Sequence, residues 1–327
     1  MSEIPDGVVQ TCVTSPPYYG LRDYAIDEQV GLEPTVAEYV ERLVGVFREV
    51  RRTLRDDGTL LLNLGDSYAG SWGAQGRGPE PKSDYGGTSA LSASSIAAHP
   101  RRRYTGSIRD ADLKPKDMIG VPWAVAFALR ADGWWLRDAI VWHKPNPMPS
   151  SVGDRCTPSY EMIFLLAKSA RYYYDADAIR EPLAPATLDR IAQARWVAGT
   201  QAGSLRTNGP MRAVVNAKGA TRAPQIEDAP EQYDERGANK RNVWTIASVP
   251  TSDAHFATFP SEIPSLCIRA GSRIGDLVLD PFLGSGTTAM VAESLGRRWV
   301  GYEINSAYCA LIAERTRQMG LLGESGK

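Results

Sequence analysis

Leu277-Val278-Leu279-Asp280-Pro281-Phe282-Leu283-Gly284-Ser285-Gly286-Thr287-Thr288 is the stretch whose reading decides the fold. An apolar run, Leu277 to Leu279, ends in a carboxylate. A glycine turn follows, and then a helical pattern over Thr287 to Leu295 that stops at Gly296. Strand, tight glycine turn and helix N-terminus in that order present backbone N–H groups to a ligand at the edge of an α/β sheet. One βα unit later a second apolar strand, Trp299 to Ile304, carries Glu303, placed to hold ribose hydroxyls. A P-loop is excluded, because no lysine follows Gly286. A dinucleotide fingerprint is excluded too, because no third glycine stands in register after Gly286. A strand-turn-helix with no ligand is the plain alternative.

Asp280-Pro281-Phe282 ahead of the glycines resembles the first motif of the S-adenosylmethionine-dependent amino-methyltransferases that act on DNA. The likeness continues through Gly296-Arg297-Arg298-Trp299-Val300-Gly301-Tyr302-Glu303-Ile304-Asn305. The resemblance implies that Asp280, Pro281, Phe282, Gly284, Gly286 and Thr287 line the S-adenosyl-L-methionine site and that Glu303 is the ribose-binding acid.

Composition narrows the alternatives. The 327 residues suffice for one large α/β domain, or a core with a small appendage. With 37 basic against 38 acidic residues the net charge is −1, so a nucleic-acid face has to be a local patch. Cys12, Cys156, Cys267 and Cys309 are far apart without a Cys-x-x-Cys. That argues against a metal site and against a disulfide framework, and three of the four read as small buried hydrophobes. No apolar run has membrane-spanning length and the polar start is no signal peptide, so a cytoplasmic, nucleoid-associated protein of a prokaryote or phage is expected.

Along the chain, Val8 to Thr14 reads as a short buried strand running into Ser15-Pro16-Pro17-Tyr18, where the prolines end any ladder. Thr35 and Glu38 form a capping box. Val36, Val40, Leu43, Val44, Phe47, Val50 and Leu54 then mark one helical face ending at Asp57-Gly58. Thr59 to Leu64 is a strand, closed by Gly65-Asp66. Order returns with a helix over Ile119 to Leu129 and strands over Trp134 to Trp142 and Tyr160 to Ala167. Later come a strand at Val243 to Ile246 and a helix near Glu262 to Ala270. Alternating strands and helices give a doubly wound, mostly parallel sheet. Residues 69–117 and 176–240 break the pattern, apart from a weak helix near Ala186 to Ala198.

Ser15-Pro16-Pro17-Tyr18 alone is weak, since Pro-Pro-x-Tyr is also a WW-domain ligand. At the end of an apolar strand, however, it faces the same crevice as Gly284 and Gly286. It resembles motif IV of the same methyltransferases, and the order of the two motifs resembles the family's β group. Gly58 to Tyr68, Gly133 to Pro147 and Pro158 to Asp175 also resemble pieces of that group. So does His255-Phe256-Ala257-Thr258-Phe259-Pro260, which adds Phe259 and Pro260 to the expected cofactor contacts. The Gly-Asp strand that usually precedes Ser-Pro-Pro-Tyr is missing, leaving the adenine contacts unassigned.

The resemblance implies a Rossmann-like fold in permuted motif order. Residues 1–175 form the catalytic half, with a flexible loop at 69–117. Residues 176–240 form a target-recognition region, and 241–327 the cofactor half of the same domain. It makes Ser15, Pro16, Pro17 and Tyr18 the catalytic residues, acting on an exocyclic amine of a base flipped from double-stranded DNA. Ser15, where many adenine-specific relatives carry Asp or Asn, points to cytosine N4. Adenine N6 is the alternative, and a non-DNA amine or amide a further one. A restriction endonuclease encoded elsewhere is the implied partner, and the state a monomer or homodimer. Tyr18 reads either as a stacking ring or as core packing, and Asp66 as a crevice residue or a turn cap. His143 is a site residue or a strand-edge cap, while Trp134, Trp135 and Trp142 read as core. Arg101, Arg102 and Arg103 are a phosphate-contacting loop or a solvated charge run. Arg206 and Arg212, with Arg180, Arg190, Arg195 and Arg222, are the expected base-reading side chains, or else belong to a surface insertion.

Overall fold

The strand Val9–Thr14 (β1) is buried at all six positions, Gln10 and Thr11 included. Such a strand has to be covered on both faces and paired on both edges. Its polar side chains are satisfied laterally: Gln10 Nε2 donates to Asp57 at 3.2 Å and the Thr11 and Thr59 hydroxyls lie 3.0 Å apart. The computed structural model, which describes residues 1–21, 28–69, 113–185, 237–248 and 259–323, places β1 between Leu54–Leu64 (β2) and Leu277–Asp280 (β6), parallel to both.

Among the described residues seven strands form one sheet, in the order β5-β3-β4-β2-β1-β6-β7. The others are Trp135–His143 (β3), Tyr160–Ala167 (β4), Val243–Thr245 (β5) and Arg298–Gly301 (β7). β4 runs antiparallel to both β2 and β3; the remaining pairings are parallel. From β1 the chain winds one way into β2, and from β6 the other way into β7. The winding reverses between β1 and β6, and the crevice beyond their C-terminal ends is where doubly wound folds bind ligands.

Alternation along the strands sets the layers. Cys12, Leu60, Leu62, Phe164 and Leu166 face one core, shared with Tyr39, Leu43 and Phe47 of helix Val36–Thr53 (α1) and Val125 and Leu129 of helix Val121–Ala131 (α2). Val13, Leu61, Ile163 and Leu165 face a second core, shared with Ile263, Cys267 and Ile268 of helix Glu262–Gly271 (α3) and Val291 and Ala292 of helix Thr287–Ser294 (α4). The last helix is Ser306–Gly323 (α5). The Thr35–Glu38 capping box is present in both directions.

Some expectations need correction. α1 ends at Thr53, not at Asp57-Gly58, because Leu54 already pairs with Val9. β7 ends at Gly301, so Glu303 lies in the loop beyond it. Trp135 is 50% exposed, while Trp134 and Trp142 are buried. Two cysteines are buried, not three, with Cys156 and Cys309 exposed. No strand lies beyond β7 among the described residues, and Met1 to Ile4 hold to α1 through Arg52, which donates to the Met1 and Ile4 carbonyls.

The chain divides into two compact units, residues 1–175 with 242–327, and residues 176–241. In the smaller unit Glu181 and Ala238 form an antiparallel bridge. Arg180 donates to Asp177 at 2.5 Å and to the Gly237 carbonyl at 3.0 Å, so it serves the base of this unit. The expected helix at Ala186 to Ala198 lies outside the described residues.

Candidate active site

The glycine turn is built by backbone conformation. Gly284 and Gly286 adopt φ of +54° and +86°, values at which an L side chain is strained. At Gly286 a Cβ would also stand 3.0 Å from Ile312. Gly286 is the N-cap of α4, so the first N–H groups of that helix open onto the turn. Ser285 Oγ is buried without a hydrogen-bond partner among the described residues.

Asp280 terminates β6 and is 2% exposed. Its Oδ1 accepts from the Thr14 hydroxyl at 2.6 Å and the Phe282 N–H at 3.0 Å, and its Oδ2 from the Thr288 hydroxyl at 2.7 Å. Burial lifts its pKa to about 6; these three donors oppose the shift, and the nearby Glu303 charge adds to it. Asp280 therefore ties the ends of β1 and β6 to the start of α4. Glu303 accepts from the Gly284 N–H on Oε2 and the Asn305 N–H on Oε1, both at 2.8 Å. Its pKa is raised by burial, against these backbone donors. Each oxygen still has a lone pair for a hydroxyl donor. The orphaned Ser285 hydroxyl, the turn N–H groups and this carboxylate fit a ribose-bearing ligand. Phe282 is partly buried against the first core, Phe259 against the second, and Pro260 is buried.

Across the switch point, Ser15-Pro16-Pro17-Tyr18 leaves the end of β1. The Pro17 carbonyl accepts from the Tyr39 hydroxyl at 2.8 Å, which pins the diproline to α1 and gives Pro17 a scaffolding part. Tyr18 lays its ring against Gly65, where a Cβ would stand 2.5 Å from the ring. Its hydroxyl donates to Glu161 Oε2 at 2.6 Å and accepts from the Ser15 hydroxyl at 3.4 Å. Burial first, and then the Glu161 charge, push the Tyr18 pKa well above its ordinary value. Glu161 is also bound by Lys144 Nζ and, at 3.2 Å, by Asn63 Nδ2. Lys144 Nζ in turn sits 4.4 Å from the centre of the Trp142 ring.

Asp66 is a cap. Its carboxylate accepts from the N–H groups of Ser67, Gly120 and Val121 at 2.8–3.1 Å, supplying α2 with the side-chain cap that Gly120 lacks. His143 Nδ1 lies 3.2 Å from the Thr245 hydroxyl, at the β3–β5 edge. Trp142 donates to the Ile246 carbonyl at 2.8 Å from a core position. Arg101, Arg102, Arg103, Arg190, Arg195, Arg206, Arg212 and Arg222 lie outside the described residues. Among the described residues no group of three or more His, Cys, Asp or Glu could hold a metal ion, and no helix is long and apolar enough to cross a membrane.

The reading of the sequence missed Glu161, Asn63 and Gly65. A charged residue at the head of the apolar run from Met162 to Ala167 was a signal for Glu161. Its partner, Tyr18, lies 143 residues away, a distance no local pattern spans.

The family model for DNA methylases matches residues 9–314. The type II methyltransferase M.SmaI of Serratia marcescens is 42% identical over 314 residues, covering 96% of this chain and 85% of that protein. M.Cfr9I of Citrobacter freundii is 40% identical over 316 residues, covering 96% and 83%. In fold the chain is similar to the PvuII DNA methyltransferase (cytosine-N4-specific), with a TM-score of 0.57, 18% identity, and coverage of 96% and 81%. With a match over nearly its whole length, the chain belongs to the family of S-adenosylmethionine-dependent DNA amino-methyltransferases.

Proposed function

We propose that the chain methylates N4 of cytosine within a specific sequence of double-stranded DNA. The observation that carries this reading is Ser15 at the head of Ser-Pro-Pro-Tyr, at the end of a strand whose last residue, Thr14, is bonded to Asp280. S-adenosyl-L-methionine is held by Glu303, Asp280, the Gly284–Gly286 turn with Thr287, and Pro281, Phe282, Phe259 and Pro260. Bound there, it supplies an electrophilic methyl group on a sulfonium.

The chain's own residues prepare the acceptor. An exocyclic amine is a poor nucleophile because its lone pair is delocalised into the ring. The Ser15 hydroxyl and the Pro16 carbonyl accept hydrogen bonds from the amine and draw its nitrogen toward sp³ geometry. Held rigid by the diproline, they contribute by position as much as by polarity. Tyr18 offers its ring to the extruded base, where stacking is worth about 1–3 kcal/mol and helps offset the few kcal/mol that flipping costs.

Incubation of duplex DNA with labelled S-adenosylmethionine, then nucleoside digestion and mass spectrometry, tests the reading. N4-methylcytosine is expected. N6-methyladenine would overturn the base assignment, and no modified nucleoside would overturn the assignment to DNA.

Residues 176–240 are the target-recognition region in this reading, supported by their place between the two halves and by Arg206 and Arg212 among several arginines. Exchanging the segment for that of a relative with another target should move the methylated site without changing the modified atom. Sequencing that detects modified bases checks this, and an active chimera that marks the original site would overturn it.

A further inference from the structure

Ser15 and Tyr18 of the Ser-Pro-Pro-Tyr segment form a connected set with three polar side chains behind it, Glu161, Asn63 and Lys144. The Ser15 hydroxyl donates to the Tyr18 oxygen at 3.4 Å, and Tyr18 donates to Glu161 Oε2 at 2.6 Å. Asn63, 3% exposed on β2, donates its amide to that same Glu161 oxygen at 3.2 Å and to the Met162 carbonyl at 3.2 Å. Lys144 holds the other oxygen, Oε1, and the two side chains of this pair are only 22% and 14% exposed.

A tyrosine hydroxyl has one proton. Asn63 Oδ1 also lies within reach, at 3.1 Å, but the shorter bond to a charged acceptor is the stronger. With that hydrogen bond directed at Glu161, the lone pairs of the Tyr18 oxygen point away from the carboxylate and accept a hydrogen bond from the Ser15 hydroxyl. Ser15 is then fixed as a donor inward, and its own lone pairs are left for an incoming amine. Gly65 completes the arrangement by leaving room for the ring. A partly buried carboxylate with a lysine counter-ion costs desolvation free energy that packing alone does not require, and here it sets the direction of a hydrogen-bond chain ending at the reactive face.

We propose that Glu161 is a positioning residue for methyl transfer, acting through the Tyr18 hydroxyl to hold Ser15 in its accepting orientation. This rests on Ser15 being the acceptor for the target amine. The inference makes Glu161 matter to turnover and not to cofactor affinity, and it makes its effect conditional on Tyr18.

The test is a double-mutant cycle with Glu161→Gln and Tyr18→Phe, read as kcat and KM for DNA and as S-adenosylmethionine affinity by calorimetry. Glu161→Gln should lower kcat about tenfold with cofactor affinity unchanged. In the Tyr18→Phe background the same change should lower kcat less than twofold further. Wild-type kcat in Glu161→Gln overturns the proposal, and so do two losses that multiply, since Glu161 would then act by another route. Glu161→Asp, which keeps the charge and withdraws it by one methylene, stands in if Glu161→Gln does not fold, with the same loss and the same dependence on Tyr18 required. Ser15→Ala separates the two levels. If it turns over normally the acceptor reading of Ser15 is at fault; if it is slow while Glu161→Gln is not, only the role of Glu161 is.

Discussion

Thr14 donates its hydroxyl to Asp280 across 2.6 Å, joining the last residue of β1 to the last residue of β6 over 266 positions of sequence. Each belongs to one of the two motif halves, so this bond sets the separation of the Ser-Pro-Pro-Tyr segment from the glycine turn. Thr14→Val, nearly isosteric, leaves a buried carboxylate short of a donor. A hydrogen bond to a charged group is worth about 1.5–3 kcal/mol, and a loss of that size should appear in urea denaturation. Unchanged stability would show the bond to be idle.

Asp280 gives the fold a pH signature. Its pKa of about 6 in the folded chain exceeds the ordinary value of 3.8, so between these values the folded state holds a proton that the unfolded state has released. Stability from this group is fully present below about pH 4 and lost as pH rises through about 6. The slope is at most ~1.4 kcal/mol per pH unit. Asp280→Asn should abolish this component, so the stability difference between wild type and variant should change across pH 4–6 and level off above it. A pH-independent difference would assign the titration to another group.

Glu303→Ala should weaken S-adenosylmethionine binding by about 1.5–3 kcal/mol, the value of hydrogen bonds to a charged group, with a smaller effect on DNA affinity. The loss has a second source, because Gly284 and Asn305 surrender the acceptor that shapes the turn. Calorimetry with the cofactor decides it, and an unaltered affinity removes Glu303 from the site.

Gly65→Ala should act through Tyr18. A Cβ 2.5 Å from the ring cannot be accommodated in place, so the ring has to leave the position in which its hydroxyl meets Glu161. A tenfold or larger fall in kcat is expected, with cofactor affinity retained because the glycine turn is untouched. Steady-state kinetics beside calorimetry reads both; normal turnover would show that the ring position does not matter.

Much of this is legible in the sequence. The apolar runs at Val8 to Thr14, Tyr160 to Ala167 and Leu277 to Leu279, the Thr35–Glu38 box and the positive-φ demand of the glycine turn are local properties. Burial, capping and backbone sterics impose them within a few residues. What remained hidden was relational. The antiparallel insertion of β4 between β2 and β3 follows from β2–β4 pairing partners about a hundred residues apart in sequence. The exposure of Trp135, the capping duty of Asp66 and the carboxylate behind Tyr18 depend on which neighbour the fold delivers. Periodicity records which face of an element is apolar, so the sequence alone determined most of the elements and the two motif halves. Only tertiary structure decided that Thr14 meets Asp280 and that Tyr18 meets Glu161, because hydrogen bonds between distant strands leave no periodic trace in the chain.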